Sequence, residues 1–409
     1  MSIYTDAQEI IHSALEACLP DQAVRRALEG KELGSGRVFL VALGKAAWQM
    51  ARCAAELLGP RLEQGVVVTK HGHSQGDIPR CQVFEGGHPV PDEGSFRGTR
   101  AAMELVQDLA PQDTVVLLVS GGGSALFERP LIPAEELAQL TSALLACGAD
   151  IVEMNTVRKR LSAVKGGRFA QLCAPAQVYS IVLSDILGDP LDMIASGPAY
   201  PDRSTCAQAR AIAEKYQLPL SGQARALLDQ ETPKELDNVE TVITGSVREL
   251  CSAAAAACQR LGYETHILTD QLCCQAREAG SFLASIARTH GQEGRSLAFL
   301  AGGETVVLLT GKGLGGRNQE LALSAAEGIS GMENALIFSL GSDGTDGPTD
   351  AAGGIVDGQT RGKLAQAGLT IHQVLADNDA YHALEKVDGL IRTGPTGTNV
   401  NDVAVVLTE

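Results

Sequence analysis

The sequence contains no run of about 20 apolar residues, no polar low-complexity stretch and no excess of positive charge. Without such an apolar run, no segment is expected to cross a membrane as a helix. The formal net charge of −16 repels nucleic-acid phosphates and anionic lipid headgroups, and no basic patch stands out against it. Neither nucleic acid nor a membrane is therefore expected as a partner.

The ten cysteines include no Cys-x-x-Cys pair and no metal-ligand spacing, which predicts reduced thiols that serve mostly as small core residues. The N-terminus lacks the basic start and apolar run of a signal peptide, so a cytoplasmic protein is expected. With 44% apolar residues over 409 positions, the chain is long enough and apolar enough for two hydrophobic cores. The sequence does not determine the oligomeric state, so a homo-oligomer stays one of the options.

Short apolar runs alternate with amphipathic stretches along the whole chain. Runs of Val, Ile and Leu separated by helical patterns are typical of a parallel sheet covered by helices on both faces. The predicted strands are Val38–Leu43, Val66–Thr69, Thr114–Ser120, Val178–Ser184, Val239–Thr244, Glu264–Leu268, Ser296–Leu300, Thr305–Thr310, Ala335–Leu340 and Val403–Leu407. A polar helical segment precedes Val239, which predicts two α/β domains, 1–237 and 238–409, with mostly parallel sheets.

Two loops in the first half could bind an anion at the carboxyl ends of strands. Lys45 follows the strand Val38–Leu43 and precedes a helix, where the helix dipole disfavours a cation unless an anion lies nearby. In the loop Ser120, Gly121, Gly122, Gly123 and Ser124, three glycines would let backbone amides approach a phosphate or carboxylate. The alternatives are an exposed lysine and a structural turn.

A third glycine-rich loop, Gly311–Asn318, matches the dinucleotide pattern Gly-x-Gly-x-x-Gly. The match is weak because no acidic residue about 20 positions further on falls at a strand end to hold a ribose. An anion loop is favoured instead, with Gly315, Gly316 and Asn318 as contacts. Arg317, whose donors match phosphate or carboxylate oxygens, is otherwise a surface arginine.

Aspartates follow two of the predicted strands. Asp185 and Asp189 lie after Val178–Ser184, and Asp343 and Asp346 lie after Ala335–Leu340. Asp185, Asp343 and Asp346 are candidate Mg²⁺ ligands, and Asp189 is a candidate base for a hydroxyl proton. Turn formation beside Gly and Pro is the alternative for each of them.

A basic run that is unusual in this acidic chain contains Asn155 and Lys159, which could face a substrate anion. A helix with a solvated charged face explains the run nearly as well. His88 could act as an acid or base, although a histidine that bonds the loop backbone is the simpler interpretation.

Taken together, these loops resemble those of the class II glycerate kinases, whose C-terminal part is called the MOFRL domain. The resemblance spans nearly the whole chain. It is carried by Gly44-Lys45, Gly86–Asp92 (GGHPVPD), Ser120–Ala125 (SGGGSA), Asn155–Gly167 (NTVRKRLSAVKGG), Ser184–Pro198 (SDILGDPLDMIASGP), Gly302–Thr305, Gly315–Glu320 (GGRNQE), Ser342–Gly353 (SDGTDGPTDAAG) and Gly394–Asp402 (GPTGTNVND). Val306 and Leu314 depart from the family pattern, where polar or basic residues are frequent.

The resemblance implies a Rossmann-like N-terminal domain, a MOFRL-type C-terminal domain and an active site in the cleft between them. It also implies transfer of phosphate from ATP to the 2-hydroxyl of D-glycerate, with Mg²⁺, and it places the family's catalytic lysine and arginine on Lys45 and Arg317. ATP and D-glycerate would then be the small-molecule partners. The alternative function is an NAD(P)H-dependent hydroxypyruvate or tartronate-semialdehyde reductase, which would need a nicotinamide site.

Overall fold

The computed structural model describes residues 2–409. The helices, numbered in chain order, are α1 Ile3–Ala17, α2 Pro20–Leu28, α3 Ala47–Leu58, α4 Glu93–Leu105, α5 Gly123–Leu126, α6 Ala134–Ala146, α7 Ile151–Arg158, α8 Arg168–Cys173, α9 Cys206–Lys215, α10 Gly222–Leu228, α11 Val247–Arg260, α12 Ala276–His290, α13 Arg317–Gly328, α14 Thr360–Gln366, α15 Ile371–Ala376 and α16 Ala380–Glu385. Three short 3₁₀ turns lie at Gly59–Arg61, Lys159–Leu161 and Ile194–Ser196. Within the described part of the chain, no helix combines the length and apolar character needed to cross a membrane.

The strands form two six-stranded sheets. They are β1 Val38–Leu43, β2 Leu62–Lys70, β3 Cys81–Gly86, β4 Thr114–Val119, β5 Gln177–Leu183, β6 Val239–Gly245, β7 Glu264–Leu272, β8 Leu297–Gly303, β9 Ala335–Gly341, β10 Gly353–Asp357, β11 Leu390–Ile391 and β12 Asp402–Thr408. β1 to β6 make the first sheet, and β7 to β12 make the second.

The first sheet has the strand order β3-β2-β1-β4-β5-β6, which is the order of a Rossmann fold. The pairs β3–β2, β2–β1, β1–β4 and β4–β5 are parallel. β1 and β4 are buried along their whole length, as expected for central strands covered on both faces. The predicted Rossmann-like α/β fold of the first half is therefore confirmed.

The second sheet is mixed, in the order β11-β10-β9-β12-β8-β7. Only β7–β8 is parallel; β8–β12, β12–β9, β9–β10 and β10–β11 are antiparallel. Helices still cover both faces: Ala301 of β8 packs into the core with α12 and α13, whereas the neighbouring Gly302 approaches Cys251 of α11. The prediction of a mostly parallel sheet is wrong here, because full burial makes an antiparallel strand as apolar as a parallel one and leaves its direction unmarked.

The predicted strand Thr305–Thr310 does not form. A single bridge between Val306 and Gln275 is present, and Val306, Leu308 and Leu309 are more than half exposed. Those apolar side chains produced a strand-like pattern although no neighbouring strand covers them. The short strands β10 and β11 were not predicted, because two glycines open β10 and β11 has only two residues.

Residue contacts divide the chain into two compact units. The first unit comprises Val24–Leu183 and Asp189–Thr244, and the second comprises Met1–Ala23, Ser184–Gly188 and Gly245–Glu409. The predicted boundary at 237 and 238 differs from this division, because β6 belongs to the first sheet and α1 packs against α11 in the second unit. The assignment of 1–237 and 238–409 as domains stays a prediction.

Candidate functional site

In the first unit, two of the predicted anion loops lie side by side. β1 and β4 are parallel neighbours, so their carboxyl ends meet at the same edge of the sheet. The Lys45 N–H donates to the Gly121 carbonyl at 2.9 Å, and the Ala46 N–H donates to the Ser120 hydroxyl at 3.2 Å. The sheet therefore brings together Lys45 and the loop Ser120–Ser124, as the sequence predicts.

Glycine is required at this contact. Gly44 has φ +115°, and a Cβ there would lie 2.3 Å from the Ser120 hydroxyl oxygen. Gly122 has φ +83°, and a Cβ there would lie within 3.2 Å of the His88 ring and the Lys45 side chain. Among residues 2–409, no acceptor hydrogen-bonds the amides of Gly122, Gly123 or Ser124. These amides and Lys45 form a site at which an anion could bind.

Two further ionisable side chains, those of His88 and Lys70, lie near Lys45 and this loop. Burial lowers the pKa of His88, and the nearby charges of Lys45 and Lys70 lower it further, so the ring is neutral at neutral pH. No hydrogen bond joins the His88 ring to the described residues, so the simpler interpretation, a bond to the loop backbone, is wrong. Lys70, at the carboxyl end of β2, was missed by the sequence analysis because β2 and β1 become neighbours only in the folded sheet.

Asn155 supports the loop from behind. Its amide oxygen accepts from the Ser196 hydroxyl at 3.1 Å, and the Ser196 hydroxyl lies 2.9 Å from that of Ser124. Asn155 and Ser196 are both buried. Hydrogen bonds through Ser196 therefore connect Asn155 to Ser124, and the side chain of Asn155 holds the loop in place.

Lys165 fixes the end of the same loop. Its buried ammonium donates to the carbonyl oxygens of Ser124 at 2.8 Å and Phe127 at 2.9 Å, and it lies 3.0 Å from a carboxylate oxygen of Glu128. Burial lowers the pKa of Lys165, against the opposing effect of Glu128. Arg158 also reaches the Ser124 carbonyl, at 3.4 Å. The loop is thus anchored at its C-terminal end.

Lys159 does not line this site. Its side chain is 2% exposed, and its ammonium lies 3.2 Å from Asp202 and 3.5 Å from Asp192. The neighbouring Arg160 is also buried and bonds Ser204 and Glu231. The predicted substrate contact by Lys159 is therefore replaced by a structural ion pair, because the 3₁₀ turn that follows α7 directs the basic run into the protein.

Asp189 has an unsatisfied carboxylate oxygen. The residue adopts φ +51°, and its Oδ1 atom is buried without a hydrogen-bond partner among the described residues. Ala195 and Ser196 in the same segment also have positive φ values. Such conformations persist only where surrounding structure imposes them, and they cluster at functional sites.

In the second unit, Arg317 is the first residue of α13 and is already paired. Its Nε and Nη2 atoms donate to the two carboxylate oxygens of Asp402 at 2.6 and 3.0 Å, and its Nη1 donates to Glu304 at 2.8 Å. Burial alone would lower the pKa of Arg317, but the hydrogen bonds and charge of Asp402 raise it above its ordinary value. The guanidinium is therefore permanently charged, and its plane is fixed by Asp402.

Asp346 caps α13. Its carboxylate accepts from the backbone amides of Asn318 at 3.1 Å and Gln319 at 2.8 Å, and from the Asn318 side chain at 3.3 Å. Burial raises the pKa of Asp346 to about 6, although these amide bonds oppose the shift. The predicted phosphate contact by Asn318 is not available in this arrangement, because its amide and side chain are used within the protein.

A cavity of about 800 Å³ adjoins these residues. Its lining includes Glu304, Leu309, Gly315, Gly316, Arg317 and Asp343. The volume is typical of small-molecule sites, which also combine apolar walls with a few polar groups. Another cavity of about 770 Å³, lined by Tyr4, Ile11 and Arg392, contains none of the predicted site residues.

The three candidate metal ligands do not form a metal cage. In residues 2–409, no three His, Cys, Asp or Glu side chains are close enough together to hold a metal ion. Asp346 is occupied by the amides of α13, and one oxygen of Asp343 accepts from the backbone and side chain of Thr345. The donor set does not fit a resident Mg²⁺. It fits at most a single carboxylate contact, from Asp343 or Asp185, to an ion that arrives with a phosphate ligand.

Comparisons with known proteins match a family to each of the two halves of the chain. Residues 6–229 match a family described as a domain of unknown function, DUF4147, and residues 297–402 match the MOFRL family. D-glycerate 2-kinase from Thermotoga maritima is 52% identical, over 98% of this chain and 97% of the relative. Glycerate 2-kinase from Pyrococcus horikoshii is 41% identical, over 100% of this chain and 98% of the relative. A crystal structure of glycerate kinase from Thermotoga maritima superimposes with a TM-score of 0.95, covering 99% of both chains at 52% identity.

Proposed function

The chain belongs to the glycerate kinase family with DUF4147 and MOFRL parts, and from this premise we propose that it is a D-glycerate 2-kinase. The reaction transfers the γ-phosphoryl group of ATP to the 2-hydroxyl of D-glycerate. The hydroxyl oxygen bonds to the γ-phosphorus, the bond from that phosphorus to the bridging oxygen breaks, and ADP leaves. The products are 2-phosphoglycerate and ADP. We place this reaction in the cytoplasm as part of the proposal.

The observation that carries the proposal is Lys45 beside the unbonded amides of Gly122, Gly123 and Ser124. In phosphoryl transfer the protein contributes mainly positioning and charge stabilisation, and fixed cations with backbone amides supply both. Lys45 would neutralise negative charge on a phosphoryl or carboxylate group. Because His88 is neutral, Lys45 and the nearby Lys70 supply the positive charge here.

Arg317 would contribute a second cation. Asp402 and Glu304 hold its guanidinium in one orientation, and the group lines the 800 Å³ cavity together with Gly315 and Gly316. A planar guanidinium suits two phosphate oxygens at once. The backbone amides of Gly315 and Gly316 have no acceptor among residues 2–409, so they remain available to the same ligand.

Asp189 would accept the proton of the glycerate hydroxyl. Its buried, unpartnered Oδ1 supports this role. Loose phosphoryl-transfer transition states require little base catalysis, so we expect removal of this carboxylate to cost less than removal of Lys45.

Mg²⁺ would enter bound to the phosphates of ATP, where it neutralises charge that develops on the transferring group. The single carboxylate contact from the protein is proposed to come from Asp343 or Asp185. With ATP and D-glycerate present, ADP release should fall to background in EDTA and return when Mg²⁺ is added in excess. Full activity in EDTA would contradict a metal requirement.

The reductase alternative loses its main support. The glycine pattern at Gly311–Gly316 does not follow a strand, because Thr305–Thr310 is irregular, whereas a dinucleotide fingerprint needs a strand, a tight turn and a helix. The first glycines of the pattern also fit against the protein's own backbone: a Cβ at Gly311 would lie 2.3 Å from the Asp377 Cα atom.

One experiment separates the two functions. Pure protein is incubated with D-glycerate, ATP and Mg²⁺ while ADP is measured, and in parallel with hydroxypyruvate and NADH or NADPH while absorbance is followed. ³¹P NMR of the product distinguishes phosphate on the 2-hydroxyl from phosphate on the 3-hydroxyl. ADP release with a 2-phosphoglycerate signal is expected. Loss of NADH or NADPH without ADP release would overturn the kinase.

A further inference from the structure

The glycine-rich loop of the second unit is held by a single three-residue segment, Asp377, Asn378 and Asp379, named here the Asp377–Asp379 clamp. The clamp accepts hydrogen bonds from five consecutive backbone amides of the loop. These are Thr310 to Asn378 Oδ1 at 2.8 Å, Gly311 to Asn378 Oδ1 at 2.9 Å, Lys312 to Asp377 Oδ1 at 3.1 Å, Gly313 to the Asp377 carbonyl at 2.7 Å and Leu314 to Asp379 Oδ1 at 2.9 Å. The backbone amides in the first half of the loop are therefore all used in hydrogen bonds within the protein.

The glycines of this half make room for the clamp. A Cβ at Gly311 would lie 2.3 Å from atoms of Asp377, and one at Gly313 would lie 2.4 Å from the Asp379 Cβ atom. Any side chain at these positions would push the two segments apart, since real Cβ contacts are longer. Gly311 and Gly313 thus allow the loop backbone to lie close to the clamp backbone. The backbone amides that remain available to a ligand are those of Gly315, Gly316 and Arg317.

Asn378 is the centre of the clamp. It is 6% exposed and has φ +56°. Its amide nitrogen donates to the Leu308 carbonyl at 3.1 Å and to the Glu320 carboxylate at 3.2 Å, while its oxygen accepts the two loop amides. One buried side chain therefore joins the loop to a residue of α13.

The connection continues into the helix that bears Arg317. Glu320 lies in the first turn of α13, is 2% exposed, and accepts from Arg277 Nε at 3.2 Å as well as from Asn378. The loop also hydrogen-bonds beyond the clamp, from the Tyr381 amide to the Leu314 carbonyl at 2.9 Å. The positions of Gly315, Gly316 and Arg317 are consequently set from both sides.

We infer that Asn378 is a positioning residue for ATP: it orders the loop so that the amides of Gly315 and Gly316 and the guanidinium of Arg317 meet one phosphate group. This inference rests on the proposed kinase function. A buried side chain whose donors and acceptors are all used orders a loop before a ligand binds, and the ligand then does not have to supply that ordering. Asn378 lies in the wall of the 800 Å³ cavity, and the role inferred for it acts through the loop amides that its side chain holds.

The test uses Asn378→Gly in the full-length protein. Glycine keeps the positive φ without strain and removes the five side-chain hydrogen bonds, one of which comes from the Thr310 hydroxyl at 3.4 Å. Asp388→Gly is the matched control, because Asp388 lies in the same unit, has φ +54°, is exposed and lines no part of the 800 Å³ cavity. Both variants are compared with the unaltered protein by hydrogen–deuterium exchange and by steady-state kinetics.

In Asn378→Gly, the amides of Thr310 and Gly311 should exchange at least about tenfold faster without ligand, because they lose their acceptor. The KM for ATP should rise at least about fivefold, while the KM for D-glycerate changes less than about twofold. Asp388→Gly should match the unaltered protein in both measurements. Unchanged exchange at residues 310–311, or an unchanged KM for ATP, would overturn the inference.

A second variant covers the case in which Asn378→Gly does not fold. Asp379→Ala removes only the acceptor of the Leu314 amide and of His382, at a partly exposed side chain. Faster exchange at Leu314 and a raised KM for ATP are expected, and their absence would count against the clamp. If the unaltered protein does not phosphorylate D-glycerate, the proposed function fails, whereas the exchange measurement still decides whether the clamp orders the loop.

Discussion

Arg317 and Asp402 form a two-bond pair, with Nε–Oδ2 at 2.6 Å and Nη2–Oδ1 at 3.0 Å. Asp402 is buried, whereas about a third of the Arg317 side chain is exposed. The pair therefore holds the guanidinium from the protein side and leaves the other side to the cavity. Only an arginine can make both bonds in one plane.

Arg317→Lys should lower kcat/KM at least about tenfold, or about 1.4 kcal/mol, because an ammonium cannot reproduce the planar pair of donors. The protein should remain folded, since lysine keeps a positive charge near buried Asp402. Steady-state kinetics and thermal unfolding measure the two effects. Arg361→Lys is the control, because Arg361 is exposed and forms only a surface pair with Glu327. Equal activity in Arg317→Lys and Arg361→Lys would show that Arg317 does not act in the active site.

Lys45→Ala should also lower kcat/KM at least about tenfold and should change stability little. The ammonium of Lys45 has no hydrogen-bond or ion-pair partner in residues 2–409, so its removal leaves no charge unpaired. Lys386→Ala, at an exposed lysine, is the control and should retain full activity. Near-normal turnover in Lys45→Ala would show that Lys45 is not part of the anion site.

Asp346→Asn should change the pH dependence of stability. Folding raises the pKa of this carboxyl from 3.8 to about 6, so the folded state holds the proton more tightly, and the resulting stability is present below pH 3.8 and lost as pH rises through 6. The loss amounts to at most about 3 kcal/mol. Asn cannot ionise, so between pH 4 and 7 the variant should gain unfolding free energy relative to the unaltered protein.

Urea unfolding at several pH values measures this difference. A constant offset between Asp346→Asn and the unaltered protein from pH 4 to 7 would show that Asp346 does not titrate in that window. Because the two proteins share all other titratable groups, the contribution of those groups to the pH dependence of stability cancels in the difference.

Asp202→Asn should destabilise the first unit by about 3–5 kcal/mol, because it leaves the buried ammonium of Lys159 without its main partner. Asp202 also accepts from Thr232 at 2.8 Å and Ser204 at 2.8 Å, so part of this network remains. Asp229→Asn, which breaks the exposed Arg210–Asp229 pair, should cost less than about 1 kcal/mol. Chemical denaturation measures both, and similar costs would contradict a structural role for the buried pair.

Local pattern was sufficient for much of the fold. The apolar runs located β1, β4, β5 and β9. These elements depend on burial and periodicity, which neighbouring residues in the chain encode. The rule that ligands bind at the carboxyl ends of parallel strands likewise placed Lys45 beside Ser120–Ser124, because β1 and β4 are parallel neighbours.

Contacts between distant parts of the chain determined the rest. Strand direction in the second sheet depends on β12 entering between β8 and β9, and no local pattern encodes this. Lys159 was expected at a surface but is buried against Asp202, which lies 43 positions away. Asp346 was expected to bind metal but caps α13 from 28 positions away.

The glycine-rich loop was also predicted only in part from the sequence. Its sequence identified a glycine-rich loop with Arg317 near its end, and in the structure α13 begins at this arginine. Its pattern does not reveal that the clamp, 64 to 68 positions further on, accepts hydrogen bonds from the amides of residues 310–314. A glycine permits the close approach of either a phosphate or another backbone, and only the folded chain shows which one occupies the space.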